Sequence, residues 1–181
     1  DRGGATIRTP ATQVAAQLAG IVLEARRTTL ADFHRALRLI EPAIVELVAA
    51  RIGTKALDRL QALEAELAAA TQDTTRFLRT WETAASVVFS ATRNPALTIT
   101  TEILHWVRVG IEPAVTADAK DLPWVTKTNR RAHALFSELV SALARRDAAH
   151  ARDVWAACQD FTTPYFEESS LGQRLMIDLL G

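Results

Sequence analysis

Leu30, Phe33, Leu37, Ile40, Ile44 and Leu47 follow one another at steps of three, four, three, four and three residues. That spacing gathers all six on one side of an α-helix and scatters them over both faces of a strand. The segment is therefore read as a helix with a face to bury. A lone amphipathic helix is marginal in water, so it needs partners of its own kind. The chain offers them. Gly and Pro number only 7 and 6 in 181 residues, and Ala, Leu, Arg and Glu, all strong helix formers, are abundant. The expectation is an all-α fold, an antiparallel bundle of about six to seven helices with short connections.

Local signals divide the chain. Thr9-Pro10 is a cap followed by a first helical residue, opening a helix to about Ala25 with Val14, Leu18, Ile21 and Val22 on its apolar side. Thr29 caps the helix of the opening stripe, with Asp32 completing a capping box. Pro42 is expected to bend that helix and Gly53 to end it. Thr54 caps a third, with Leu57, Leu60, Leu63 and Leu67 inward. Asp73 or Thr74 opens a fourth, whose Phe77, Trp81, Ala84 or Ala85, Val88 and Ala91 form an apolar face wide enough to be covered on most sides. Asn94-Pro95 stops it and caps a fifth. In that fifth helix Gly110 and Pro113 are expected kink positions. A polar loop over 118–121, a sixth helix from about Leu122 to Arg146, a seventh capped by Asp147 and ended by Pro164, and a short terminal helix within 170–180 complete the reading. Residues 1–9, with Gly3-Gly4 and short alternation, read as the end of a hairpin, and 10–181 as one helical domain.

Composition excludes several functions. Residues are 49% hydrophobic and 23% charged, with zero formal net charge. Without a basic excess, phosphate binding by these residues themselves is not expected. No apolar run reaches the roughly 18 residues a membrane span needs, and no signal peptide is seen. The single cysteine, Cys158, cannot form an internal disulfide, which points to a reducing compartment and a cytoplasmic location. There is no phosphate loop, no nucleophile elbow, and no i,i+4 pair among His34, His105, His133 and His150. Neither an enzyme nor a cofactor is expected.

A few residues stand out. Arg38 and Glu41 are spaced as a helix-surface ion pair, yet Arg38 borders the inward stripe, from which its guanidinium can reach a cavity. Arg108 lies inside the apolar run Trp106-Val107-Arg108-Val109. A buried arginine needs an internal acid or an anionic ligand, and the first is the simpler reading. Cys158 reads as a small buried hydrophobe. Trp81, Trp106, Trp124 and Trp155 are either core or the walls of an apolar pocket.

Three segments in order carry a resemblance: Thr29 to Pro42 followed by Ala49-Ala50-Arg51, then Asn94-Pro95, then Leu139 to Asp147 with Ala151. Together they resemble the C-terminal effector-binding (FCD) domain of GntR-type transcription regulators, in the FadR-like branch, over about residues 10–165. Residues 1–9 are similar to the tail of the winged-helix hairpin that precedes such domains. The resemblance implies a ligand-sensing, homodimeric domain that touches operator DNA only through that N-terminal head. Many members hold a divalent metal through an Asp-x-x-x-His on the fourth helix and one His each on the sixth and seventh. Those positions fall here on Trp81, Ala85, Phe136 and Cys158, which cannot together bind a metal. Metal-free members bind acyl-CoA in a related pocket. The resemblance thus implies a metal-independent, apolar or acyl-type acidic effector, such as a fatty acid or acyl-CoA. It would sit among Arg38, Trp81, Ala85, Arg108, Phe136 and Cys158, with Arg38 or Arg108 facing its acid group. The alternative is a purely structural dimerisation domain whose core is filled.

Overall fold

A computed structural model describes residues 12–119 and 124–176. These residues form eight helices: α1 (Thr12–Ala25), α2 (Leu30–Ala49), α3 (Thr54–Ala69), α4 (Thr74–Ser90), α5 (Pro95–Ala119), α6 (Val125–Arg145), α7 (Ala148–Asp160) and the short α8 (Thr163–Glu167). The bundle is all-α, as the periodicity predicts. Neighbours pack in a chain of contacts: α2 on α7, α7 on α6, α6 on α3, α3 on α4, α4 on α5, and α5 on α1. The hairpin expected over 1–9 and the helix start expected at Leu122 lie outside the described residues.

Several expected caps form where side chains meet orphan backbone donors, whereas Thr54 is the first residue of α3 rather than its cap, and the Thr9-Pro10 start lies outside the described residues. Thr29 and Asp32 make a full reciprocal box, with Asp32 N–H donating to Thr29 Oγ1 and Thr29 N–H to Asp32 Oδ2, both at 3.1 Å. Asn94 Oδ1 accepts from Ala96 N at 3.0 Å and Leu97 N at 3.3 Å, with Pro95 opening α5. Asp147 Oδ1 accepts from His150 N at 3.2 Å. Gly110 and Pro113 fall inside α5 without ending it, and the helix includes Asp118 and Ala119, which were expected in a loop.

Other boundaries differ from expectation. α2 ends at Ala49, and Gly53 caps α3 rather than closing α2. Pro164 opens α8 instead of ending α7, because proline suits a first turn that lacks donor demand. Residues 170–176 form no helix. Their backbone groups pair instead with the start of α2: Leu30 N donates to Arg174 O, Ala31 N to Gly172 O, and Met176 N to Thr28 O. Gly172 lies against the Phe166 carbonyl so closely that a Cβ would sit 2.3 Å from its oxygen.

The opening stripe is only partly buried. Leu30, Phe33, Leu37 and Ile44 are inside, but Ile40 and Leu47 are 38% and 53% exposed. Glu41, Val45 and Val48 take their places inside. At 100° per residue, 30, 37, 41, 44, 45 and 48 share one face, while 40 and 47 fall at its edge. The expected apolar side of α1 is real but uncovered, with Val14, Leu18, Ile21 and Val22 each more than half exposed.

Two cores result. The larger joins the second half of α2 to α3, α4, α6 and α7, around Leu60, Leu63, Leu67, Phe136, Leu139 and Trp155. The smaller joins the first half of α2 to α5 and the 165–176 segment, through Leu30, Phe33, Leu37, Ile111, Leu171 and Met176. Between them the packing leaves space.

Candidate functional site

That space is a mainly apolar cavity of about 180 Å³, walled by α2 (Phe33, Leu37, Glu41), α4 (Phe77, Trp81, Glu82), α5 (Arg108, Ile111), α6 (Asn129, Ala132) and α7 (Trp155, Gln159). With Phe166 of α8, six helices contribute, each through inward positions of its own period. A second, adjoining cleft of about 390 Å³ shares Leu78, Val115, Asn129, Phe161 and Phe166 with it, and is bordered further by Trp124 and Tyr165.

Aromatic rings form one wall. Trp81 stacks on Trp155 at 6.0 Å and on Phe77 at 6.4 Å between centroids, and meets the Phe136 ring edge-on at 5.7 Å. Phe89 closes the far side of Trp155 at 5.4 Å. Such rings give a stiff, apolar surface with little side-chain entropy left to lose.

The aromatic lining adjoins a charged one, since Trp155 belongs to the first and hydrogen-bonds to the second. Glu41, 2% exposed, holds one oxygen 2.8 Å from Arg108 Nη1, while Trp155 Nε1 donates to its other oxygen at 3.0 Å and Gln159 Nε2 donates there too. Three donors on one carboxylate are what burial of its charge demands. Arg108 is also 3.0 Å from Glu82 through Nε, and His105 Nδ1 stands 3.4 Å from the same Glu82 oxygen. Burial pushes Glu41 above the ordinary carboxylate range, against the pull of Arg108. Burial acts upward on Glu82 as well, but Arg108 and His105 outweigh it and hold it below that range. Arg108 resists burial because its two carboxylates raise it.

A second, parallel cluster lies outside the cavity's charged wall. Arg38 pairs with Asp160 at 2.6 Å and Glu167 at 3.2 Å, and His34 Nδ1 approaches Glu167 at 3.0 Å. Arg35 reaches Glu167 at 3.1 Å. These contacts tie α8 to α2, and His34 stacks on Phe166 at 4.9 Å. Burial lowers His34 despite Glu167.

The six residues singled out by sequence are therefore distributed. Trp81 and Arg108 line the cavity together. Phe136 supports Trp81 from behind, and Ala85 is 1% exposed in the larger core. Cys158 is buried, and burial pushes its thiol up to about 12. Arg38 does not pair with Glu41 as its i,i+3 spacing suggests; it is held by the acids of α7 and α8. Arg108 does find internal acids. Glu41, Glu82 and Gln159 were not foreseen as one wall. A signal for Glu41 existed: it follows Leu37 by four and precedes Ile44 by three, in phase with the buried face. Among the described residues, no group of three or more His, Cys, Asp or Glu is arranged to hold a metal, and no helix is long and apolar enough to cross a membrane.

A family model, the FCD domain, matches residues 21–160. No curated protein and no solved structure matches the chain.

Proposed function

The chain belongs to the FCD-domain family, the C-terminal effector-binding domain of GntR-type transcription regulators, and we propose that the cavity between its two cores is the effector site. The observation that carries this is an apolar chamber left open at the junction of six helices, where a stable bundle gains by filling space. An empty volume near 150 Å³ suffices for a benzene-sized molecule, so about 180 Å³ takes a small organic group. The adjoining cleft offers room for an apolar extension, which suits an effector with a hydrocarbon body.

The effector is metal-independent in this reading. Where metal-holding members of the family place their ligands, this chain has two aromatic rings, a methyl group and a thiol that stays protonated. That set does not fit a divalent ion.

Coupling runs through α5. Its Arg108 and Ile111 wall the cavity, while its Trp106, Val109 and Gly110 face a groove against α1. Thr12 Oγ1 also donates to Glu102 at 2.6 Å. An effector that favours one position of α5 thereby biases α1, and through it a DNA-reading head upstream. The uncovered row Val14, Leu18, Ile21 and Val22 supports self-association of two copies through α1.

The alternative, a structural domain with a filled core, draws on the aromatic packing of Trp81 and Phe136 but leaves the open chamber unexplained. A thermal-shift screen of fatty acids, acyl-CoAs and small amines, alcohols and acids separates the two. Binding raises the melting temperature and Trp81→Ala abolishes the response; a flat screen supports the structural domain.

A further inference from the structure

The chamber's walls are unequally held. α2, α4, α5, α6 and α7 are helices of 13 to 25 residues with buried faces, whereas α8 has five residues, none of them buried. No residue from Phe161 to Ser170 is buried, yet Phe161, Thr162 and Phe166 line the chamber and the adjoining cleft alike, and Pro164, Tyr165 and Ser169 border the cleft. This stretch is a strap laid across the space.

Its two ends are fixed and its middle is not. At one end α7 packs on α2 and α6. At the other, Leu171 and Met176 are buried, and Gly172, Arg174 and Met176 join Ala31, Leu30 and Thr28 through three backbone hydrogen bonds. Between them, among the described residues, no backbone hydrogen bond ties 163–170 to α2, α4, α5 or α6. Side chains hold the strap instead. Glu167 meets His34 at 3.0 Å, Arg35 at 3.1 Å and Arg38 at 3.2 Å, all from α2. Tyr165 Oη reaches Val115 O at 3.3 Å and Asp118 at 3.1 Å, and Phe166 stacks on His34. Arg35 and Arg38 are 53% and 34% exposed, so water can replace Glu167 when it leaves them. Few buried contacts and replaceable bonds mark the segments that open at least cost. The strap keeps its own shape meanwhile, because Ser169 Oγ donates to Tyr165 O at 2.5 Å and accepts from Gly172 N at 3.2 Å.

Taking the chamber as the effector site, we propose that this strap is its gate and that Glu167 is the latch. The effector enters as Glu167 leaves α2 and Phe166 swings off the opening. Closure restores three charge contacts and an aromatic one over the bound molecule.

The test needs no effector. Ala132→Cys places a thiol on the chamber wall, and its modification by methyl methanethiosulfonate, a small neutral reagent, is timed by peptide mass spectrometry. Cys158, buried off that wall, is the reference thiol. Adding Glu167→Gln should speed labelling of the introduced thiol about threefold to tenfold, the reach of a few screened ion pairs. Raising the salt concentration should bring the protein with Glu167 toward that rate and leave the Glu167→Gln protein unchanged. Gly172→Ala, whose Cβ would lie 2.3 Å from the Phe166 carbonyl oxygen, should also speed labelling, with no change of charge. A rate that neither Glu167→Gln nor salt alters would overturn the gate, whatever ligands bind. Both thiols speeding in step would mean general loosening and overturn it too. A flat thermal-shift screen beside responsive labelling would remove the effector site and leave the moving strap, so the two failures are told apart. Should Glu167→Gln not fold, the salt series on the protein with Glu167 decides.

Discussion

Arg108 and Arg38 sit in nearly the same company. Each meets two carboxylates, Glu41 and Glu82 for one, Asp160 and Glu167 for the other, and each cluster includes a histidine, His105 or His34. Burial separates them. Arg108 is 12% exposed beside a 2% exposed Glu41, whereas Arg38 is 34% exposed and Asp160 61%, with Glu167, at 11%, the one acid of that cluster turned inward. In the first cluster water cannot replace a lost partner, so each group is obligatory. In the second water screens and substitutes, and the contacts act as a tether between α2 and α8. The same side chains thus build a rigid cavity wall in one place and a loosely held strap in the other.

Removing Arg108 should break the comparison most visibly. Arg108→Met strands Glu41 and Glu82 without a cation and should cost about 3–5 kcal/mol by urea unfolding. Adding Glu41→Gln and Glu82→Gln to it should recover most of that loss, since an apolar, uncharged wall needs no counter-ion. A triple variant as unstable as the single one would show that the arginine acts through packing.

Acidity sharpens the same point. Glu41 is raised above its unfolded value, so the folded protein keeps this proton where the unfolded chain releases it. Its contribution is whole below about 4.5 and declines as pH climbs through the folded value. Glu41→Gln fixes the neutral form, so its stability relative to the parent should improve from acid toward neutral pH. A constant difference across that range would place the ionised form in the native state throughout.

The exposed cluster should respond least. Arg38→Ala should cost under about 1 kcal/mol, and the cost should shrink as salt rises. A salt-independent loss comparable to that of Arg108→Met would erase the distinction between the clusters.

Much of the fold was legible because helix periods, caps and breakers are local. Thr29 with Asp32, Asn94 with Pro95, and Asp147 each mark a real helix start. What escaped was set by distant contacts. The 170–176 segment gives up helix to satisfy the donors at the start of α2, a demand invisible within the segment. Arg38 and Glu41 sit one turn apart and turn to different partners, 122 and 67 residues away in sequence. Arg108 was identifiable as a buried cation from its apolar flanks. Glu82 was not, because its partners lie on another helix.

The central claim, that the chamber between the cores is a binding site, is tested most directly by filling it. Ala132 lines the chamber and is 8% exposed. Ala132→Leu should leave the ligand-free protein as stable as before or more so, since cavity filling adds contacts. It should also abolish the melting-temperature rise given by whichever compound stabilises the unmodified protein most. A full response in the filled variant would contradict the account, as would an unmodified protein whose melting temperature no compound moves.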